Sequence, residues 1–230
     1  MYDTQTISPA ELAGLFDHTF LKAFGDAEKI GKLCADAREY GFASVAVNGC
    51  EVARCVELLR GTAVKVDVTV GFPLGQMTTE AKIFETRDAI AKGAGEADIV
   101  QNIRALQSGD WKYVLNELSE FAKVCRDGGA VSKVIFENCY LTDEQKKLSC
   151  RLAVEAGLDY VKTSTGFGSG GATVEDVRLM RQTVGPEMGL KAAGGIRDLA
   201  TVLAMLNAGA TRIGTSAGVA IVEELKALRR

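Results

Sequence analysis

Short apolar runs alternate with longer segments of helical period along the whole chain. The runs cover residues 15–21, 43–47, 64–70, 97–102, 131–137, 160–163, 188–192 and 211–214. They are brief and mostly rich in Val, Ile and other strand formers, so each is expected to be a buried strand. The segments between them place apolar residues three and four apart, as a helix facing a core does. These are 26–40, a stripe of Val52, Cys55, Val56 and Leu59, then 78–92 with Ile83, Phe84 and Ile90 inward, 110–126, 142–155, 173–184, 198–208 and 216–228. Ser8-Pro9-Ala10-Glu11 predicts one more helix ahead of the first strand. Ser8 caps it, Pro9 suits the first helical position, and Glu11 completes a capping box, a device repeated at Thr142 and Gln145.

The punctuation is regular as well. Tyr40-Gly41, Lys92-Gly93, Ala156-Gly157 and Ala208-Gly209 each end a helix just before a strand. Glycine there fits the left-handed C-cap that turns the chain back. Eight strand–helix units after one leading helix predict the α/β class, a (β/α)8 TIM barrel with one extra N-terminal helix. An open doubly wound sheet is the alternative. No linker rich in Pro, Gly or Ser divides the chain, so residues 1–230 read as a single domain.

Composition narrows the class without selecting a function. Of 230 residues, 47% are hydrophobic and 25% charged, which excludes a disordered chain. The formal net charge of −3 argues against binding nucleic acid by phosphate neutralisation. A single His cannot build a His-rich catalytic metal site, and neither metal nor cofactor is expected. The six cysteines form no C-x-x-C pair and read as free thiols of a reducing, cytoplasmic protein. Residues 1–6 show no apolar run behind a basic patch, and no stretch is long enough to span a bilayer, so neither a leader nor a membrane partner is expected.

In a barrel, chemistry belongs at the C-terminal ends of the strands. Those ends carry Asp17, Asn48, Gly71, Asp98 with Asn102, Glu137, Lys162, Lys191 and Gly214. Lys162 and Lys191 each follow an apolar stretch and precede small residues, which points both amines into the mouth. Buried lysines are either paired or lowered in pKa. Two facing lysines lower one another, and a neutral amine is the nucleophile that forms a Schiff base with a carbonyl. Asp17, Asp98 and Glu137 are the carboxylates expected to hold the second lysine charged and to move protons. From the residues alone, a structural ion-pair cluster is an equal reading. Three glycine-rich segments follow the last three strands: Gly166-Phe167-Gly168-Ser169-Gly170-Gly171, Gly194-Gly195-Ile196-Arg197 and Gly214-Thr215-Ser216-Ala217-Gly218. Such loops let backbone N–H groups approach an anion, which points to a phosphate.

The strings Asp17-His18-Thr19, Gly71-Phe72-Pro73-Leu74-Gly75, Thr78-Thr79-Glu80 with Lys82, Val134-Ile135 with Glu137, Lys162-Thr163-Ser164-Thr165-Gly166-Phe167-Gly168, Lys191 with Gly194-Gly195-Ile196-Arg197, and Arg212-Ile213-Gly214-Thr215-Ser216 occur in one order across nearly the whole chain. In this the sequence resembles the deoxyribose-phosphate aldolases. The resemblance implies a class I aldolase of (β/α)8 fold. Such an enzyme splits 2-deoxy-D-ribose 5-phosphate reversibly into D-glyceraldehyde 3-phosphate and acetaldehyde. It implies Lys162 as the Schiff-base lysine and Lys191 as the ammonium that lowers its pKa. Asp98 would be the proton shuttle, Asp17 its support, Lys133 a neighbour of the relay, and Glu137 a carboxylate near the lysines. Gly166, Gly194, Gly195, Gly214 and Ser216 match the phosphate site, with Arg197 beside them. Small phosphosugars and aldehydes are the implied partners, together with a homodimer or homotetramer.

Five positions depart from the pattern: Ala23 for Pro, Ala46 for Cys, Gly49 for Pro, Asn138 for Thr, and Ala217 for a second Ser. The last removes one hydroxyl from the phosphate loop. Two other readings stand beside the aldolase, namely a Schiff-base lyase for another phosphosugar and a phosphosugar binder without catalysis. Elsewhere, His18 is expected to face away from Asp17 and pack. Cys50, Cys55 and Cys139 are expected to be buried, Thr79 and Glu80 to act as helix caps, and Trp111 with Tyr113 to anchor a surface. The tail 223–230 reads as the solvated end of the last helix.

Overall fold

The computed structural model describes residues 2–229, so Met1 and Arg230, at the ends of the expected domain and tail, lie outside the described residues. Helix α1 (Pro9–Ala13) carries the Ser8 capping box and leads into strand β1 (Phe16–Thr19). Then follow α2 (Ala27–Tyr40), β2 (Ser44–Val47), α3 (Val52–Leu58), β3 (Lys65–Val70), α4 (Thr79–Ala91) and β4 (Glu96–Val100). The second half runs through α5 (Ile103–Gln107), α6 (Trp111–Asp127), β5 (Val131–Ile135), α7 (Asp143–Ala156), β6 (Tyr160–Lys162), α8 (Val174–Val184), β7 (Gly189–Ala193), α9 (Leu199–Ala208), β8 (Arg212–Thr215) and α10 (Gly218–Ala227). All eight strands are parallel and close in sequence order, β8 pairing with β1. The open-sheet alternative is thereby excluded.

Two layers of different chemistry result. The outward residues of the strands, such as Val45, Val66, Val68, Ile99, Val134, Val161, Leu190 and Ile213, are buried against the helices and form the hydrophobic core. The residues that alternate with them face the barrel axis and are largely polar or charged. Gly41, Gly157 and Gly209 end α2, α7 and α9 at φ of 69°, 75° and 117°, the left-handed region that glycine enters freely. Among the described residues no helix is long and apolar enough to cross a membrane.

Several local expectations change. Phe84 lies on the outer face of α4 and is 73% exposed, whereas Ile83 points inward. α5 escaped the periodicity because it is only five residues long; Asn102 caps it by accepting from the Ala105 N–H. Thr78, not Thr79, caps α4. Thr79 is buried, with its hydroxyl beside Tyr113 and Glu117, and so supports the fully buried Lys82–Glu117 pair, 2.8 Å apart. Glu80 sits in the exposed first turn of α4. Cys55 is buried as expected, but Cys50 and Cys139 lie in single 3-10 turns, residues Gly49–Glu51 and Asn138–Tyr140, past the ends of β2 and β5, and are exposed. The last helix is not simply solvated at its end, because Arg229 donates to the Thr4 and Ile7 carbonyls and ties the two termini together.

Candidate active site

Each strand sends one or two polar side chains to a common centre: Asp17 and Ser44 from β1 and β2, Asp67 from β3, Glu96 and Asp98 from β4, then Lys133, Lys162, Lys191 and Arg212 from β5 to β8. The register makes this possible. Across adjacent strands Asp17 pairs with Ser44, Asp67 with Glu96, Asp98 with Lys133, Lys162 with Lys191, and Lys191 with Arg212. Paired residues share a face, and neighbouring strands lie about 4.8 Å apart, so these charges meet. Asp17, Asp98 and Lys191 therefore sit inside the barrel, within their strands, rather than at strand ends as the sequence predicts.

Asp98 is the hub. Its Oδ2 lies 2.7 Å from both Lys162 Nζ and Lys191 Nζ, and its Oδ1 2.9 Å from Lys133 Nζ. Lys191 Nζ also touches Asp17 Oδ2 at 2.5 Å and Asp67 Oδ2 at 2.8 Å. Lys133 Nζ is 2.6 Å from Glu96 and 3.1 Å from Asp67; its contacts are ion pairs without aligned hydrogen bonds. Arg212 closes the ring on Asp17 at 2.6 Å and Glu96 at 3.3 Å, and the Ser44 hydroxyl donates to Asp17. Asp17, Asp67 and Glu96 converge within 4.8 Å, a grouping that can hold a metal ion, but here the chain's own ammonium and guanidinium groups neutralise it.

The electrostatics separate the three lysines. Burial pushes the Lys162 amine below its usual value, and the neighbouring Lys191 ammonium pushes it further; Asp98 and Asp67 oppose this without reversing it. Burial acts on Lys191 too, but Asp17, Asp67 and Asp98 outweigh it and hold Lys191 above the ordinary range. Lys133 is likewise held well above it, by Asp67, Asp98 and Glu96 against burial. Burial would raise Asp17 and Asp98, yet the surrounding cations hold both well below normal. Asp67 goes the other way: burial, reinforced by Asp98, lifts it to about 7.

Glu137 does not hold the second lysine. It lies past the end of β5 at φ 58° and accepts from the Thr165 N–H at 3.1 Å and from the Thr165 hydroxyl. Thr165 Oγ1 in turn accepts from the Phe167 N–H. The left-handed backbone, costing about 1–3 kcal/mol outside glycine, is offset by this bracing of the loop that follows Lys162. A side chain at Gly168 would press on Glu137 and Cys139.

The glycine loops after β6 and β7 meet directly. Ala172 N–H donates to the Gly194 carbonyl, and a Cβ at Gly171 would strike the Gly194 backbone. Gly166, Gly194 and Gly195 have φ of 84°, 89° and 80°, and Gly166, Gly195, Arg197 and Ser216 are exposed at the mouth. Gly214 is separate from them: it is buried within β8, where a Cβ would come within 3.1 Å of Lys191 Cε and 2.9 Å of Ala193 Cβ. Its lack of a side chain makes room for Lys191. Phe72 and Phe167 meet edge to face at 5.3 Å across the mouth, beside a cleft of about 550 Å³ on the β1–β3 side. His18 points away from the site, packs on Phe42 and lies 3.8 Å from Asp36.

Sequence reasoning thus assembled Asp17, Asp98, Lys133, Lys162 and Lys191 but missed Asp67, Glu96, Ser44 and Arg212. For Asp67 and Glu96 the signal was present. A carboxylate between two apolar residues in Val66-Asp67-Val68, and Glu96 two residues before Asp98, both read as inward positions at period two.

A closed parallel barrel with a buried, pKa-lowered lysine among paired charges, and glycine loops above it, defines an amine-dependent barrel enzyme. The chain belongs to the DeoC/LacD family of aldolases, whose family model matches residues 12–224. A deoxyribose-phosphate aldolase of Bacteroides thetaiotaomicron is 59% identical over 224 residues, 97% of this chain and 94% of that protein. One of Thermococcus gammatolerans is 56% identical over 93% of this chain and 96% of its own. The tetrameric deoxyribose phosphate aldolase of Aeropyrum pernix superposes with a TM-score of 0.90 at 34% identity, over 96% of this chain and 93% of that one.

Proposed function

We propose that this chain is a class I aldolase that cleaves 2-deoxy-D-ribose 5-phosphate reversibly to D-glyceraldehyde 3-phosphate and acetaldehyde through a Schiff base on Lys162. The observation that carries it is the contrast among the three central lysines. Lys162 alone is lowered in pKa, and it alone is the last residue of its strand, next to the mouth.

The neutral Lys162 amine attacks C1 of the open-chain aldehyde and, with loss of water, gives a protonated imine. Loss of the C3 hydroxyl proton drives electrons from the C2–C3 bond into that imine, releasing D-glyceraldehyde 3-phosphate and leaving an enamine of C1 and C2. Protonation at C2 and hydrolysis then free acetaldehyde and the amine. Asp98, in contact with Lys162, is the group that moves protons, with Asp17, Lys133 and Lys191 fixing its charge. The loops holding Gly166, Gly194, Gly195 and Ser216 take the phosphate. The N-terminus of α10 supports this assignment, because α8 and α9 have side-chain caps from Thr173 and Asp198 whereas α10 has none and leaves its first N–H groups for an anion.

The enzyme acts in the cytoplasm as a homodimer or homotetramer on small molecules, without nucleic acid or membrane partners. Exposed Phe84 and Trp111, on the neighbouring helices α4 and α6, support self-association. A retro-aldol assay on 2-deoxyribose 5-phosphate, with ribose 5-phosphate and fructose 1,6-bisphosphate as controls, tests the substrate. Borohydride trapping with acetaldehyde tests the mechanism, and a label at any residue but Lys162 overturns it.

A further inference from the structure

The buried centre contains four carboxylates, Asp17, Asp67, Glu96 and Asp98, and four cationic side chains, Lys133, Lys162, Lys191 and Arg212. Fully ionised, it is neutral. An attacking Lys162 must be uncharged, which would leave one net negative charge in a place without bulk water, a costly state. The proton leaving Lys162 is therefore best kept within the cluster. Lys133, Lys191 and Arg212 already carry theirs, so a carboxylate must receive it.

The partners identify which one. Asp17 is held by Lys191, Arg212 and the Ser44 hydroxyl, Glu96 by Lys133 and Arg212, and Asp98 by all three lysines. Asp67 has neither the guanidinium nor a hydroxyl, and it shares both its ammonium partners, Lys133 and Lys191, with other carboxylates. It is fully buried and faces Glu96 and Asp98 from β4, Lys133 from β5, Lys191 from β7 and Asp17 from β1, while its partner on β2 is the uncharged Ala46. Its Oδ2 and that of Asp98 both contact Lys191 Nζ, at 2.8 and 2.7 Å, so the two carboxyls sit side by side on one ammonium.

We propose that Asp67 is a positioning residue that holds, as a neutral carboxyl, the proton Lys162 gives up, passing it to and from the reacting centre through Asp98. This rests on the Schiff-base reading above. The balance closes at each stage. One Lys162 N–H bond breaks and one Asp67 O–H bond forms, with the cluster still neutral. When amine and aldehyde condense, the protonated imine and water require one added proton; Asp67 returns it, and the new positive charge at the imine nitrogen again meets four carboxylates. The raised proton affinity of Asp67 agrees with this role.

Infrared difference spectroscopy on the intact enzyme tests it, with acetaldehyde as the probe. At neutral pH the free enzyme should show the C=O stretch of a buried protonated carboxyl, bleached when acetaldehyde forms the imine and absent in Asp67→Asn. Asp67→Asn should still be labelled at Lys162 by borohydride and acetaldehyde, because the amide is neutral like the protonated acid. Its kcat should fall by about 100-fold or more, as befits loss of an acid–base group, and Asp67→Glu should restore most of it. No such band in the wild-type enzyme, or a band that persists in Asp67→Asn, overturns the proposal while Lys162 labelling stands. Absence of Lys162 labelling in the wild type overturns instead the Schiff-base reading. The wild-type spectrum needs no variant to fold.

Discussion

Replacing Lys191 with Leu removes the ammonium nearest to Lys162 and is the sharpest test of how the nucleophile is made. Both amines touch the same oxygen of Asp98 at 2.7 Å, so the two nitrogens are no more than about 5.4 Å apart, twice that length. At an effective dielectric constant of about 20, unit charges at that distance repel by about 3 kcal/mol, or about 2 pKa units. Leucine removes this repulsion. It also leaves the Asp17 carboxylate without that ammonium, and its less compensated charge favours a protonated Lys162 further. The sign is therefore unambiguous: the Lys162 pKa rises by about 2 units or more, and the neutral fraction at neutral pH falls about 100-fold.

The assay is a profile of kcat/KM for 2-deoxyribose 5-phosphate against pH, with circular dichroism to confirm folding. The acid limb should move to higher pH by about that amount, so that activity lost at neutrality returns in alkaline buffer. Alkaline recovery separates an electrostatic role from a structural one. A limb that stays in place, or a loss equal at every pH, would refute the argument that Lys191 helps keep Lys162 neutral.

Three further outcomes follow from the same geometry. Ala217→Ser restores a hydroxyl beside the uncapped start of α10; a hydrogen bond to a charged phosphate contributes about 1.5–3 kcal/mol, so the preference for phosphorylated over free deoxyribose should rise about 10–100-fold, and an unchanged ratio of kcat/KM values would remove Ser216-Ala217 from the phosphate site. Gly171→Ala forces the loops after β6 and β7 apart at Gly194, and should raise KM for the phosphorylated substrate by about tenfold while sparing free deoxyribose, as steady-state kinetics on both will show. Glu117→Leu strands the fully buried Lys82 ammonium, at a cost of about 3–5 kcal/mol and roughly 6–20 °C in Tm; the double variant with Lys82→Met should recover most of it in a thermal melt.

Much of the fold was legible because its signals are local and repeated. The Ser8 and Thr142 boxes, the Gly41, Gly157 and Gly209 caps, and the eight apolar runs each act within a few residues, and all appear where the sequence places them. What failed was finer. Phe84 lies next to Ile83, about 100° further round the helix, and apolar spacing alone does not say which of the two faces the core; the structure buries the first and exposes the second. For Cys50 and Cys139 residue type alone points to burial, and it is blind to their place in the exposed 3-10 turns past the ends of β2 and β5.

The site was legible in proportion to how far each residue departs from its surroundings. Lys162 and Lys191 stand out because a lysine beside apolar residues in a buried strand, at the end of β6 or in the middle of β7, has no packing reason to be there. Arg212 and Glu96 hid at the first residues of β8 and β4, where a charge is expected to meet solvent, yet the register carries both to the centre. Asp67 hid differently, within a run whose β-branched residues dominated the reading. In β3 the outward residues Val66, Val68 and Val70 make the strand's contribution to the hydrophobic core, so Val66-Asp67-Val68-Thr69-Val70 serves the core while leaving two inward positions free for chemistry. A charge between two valines in such a strand is therefore a stronger indication of a site than a charge at its end, because it cannot reach water and must be neutralised by what faces it across the barrel.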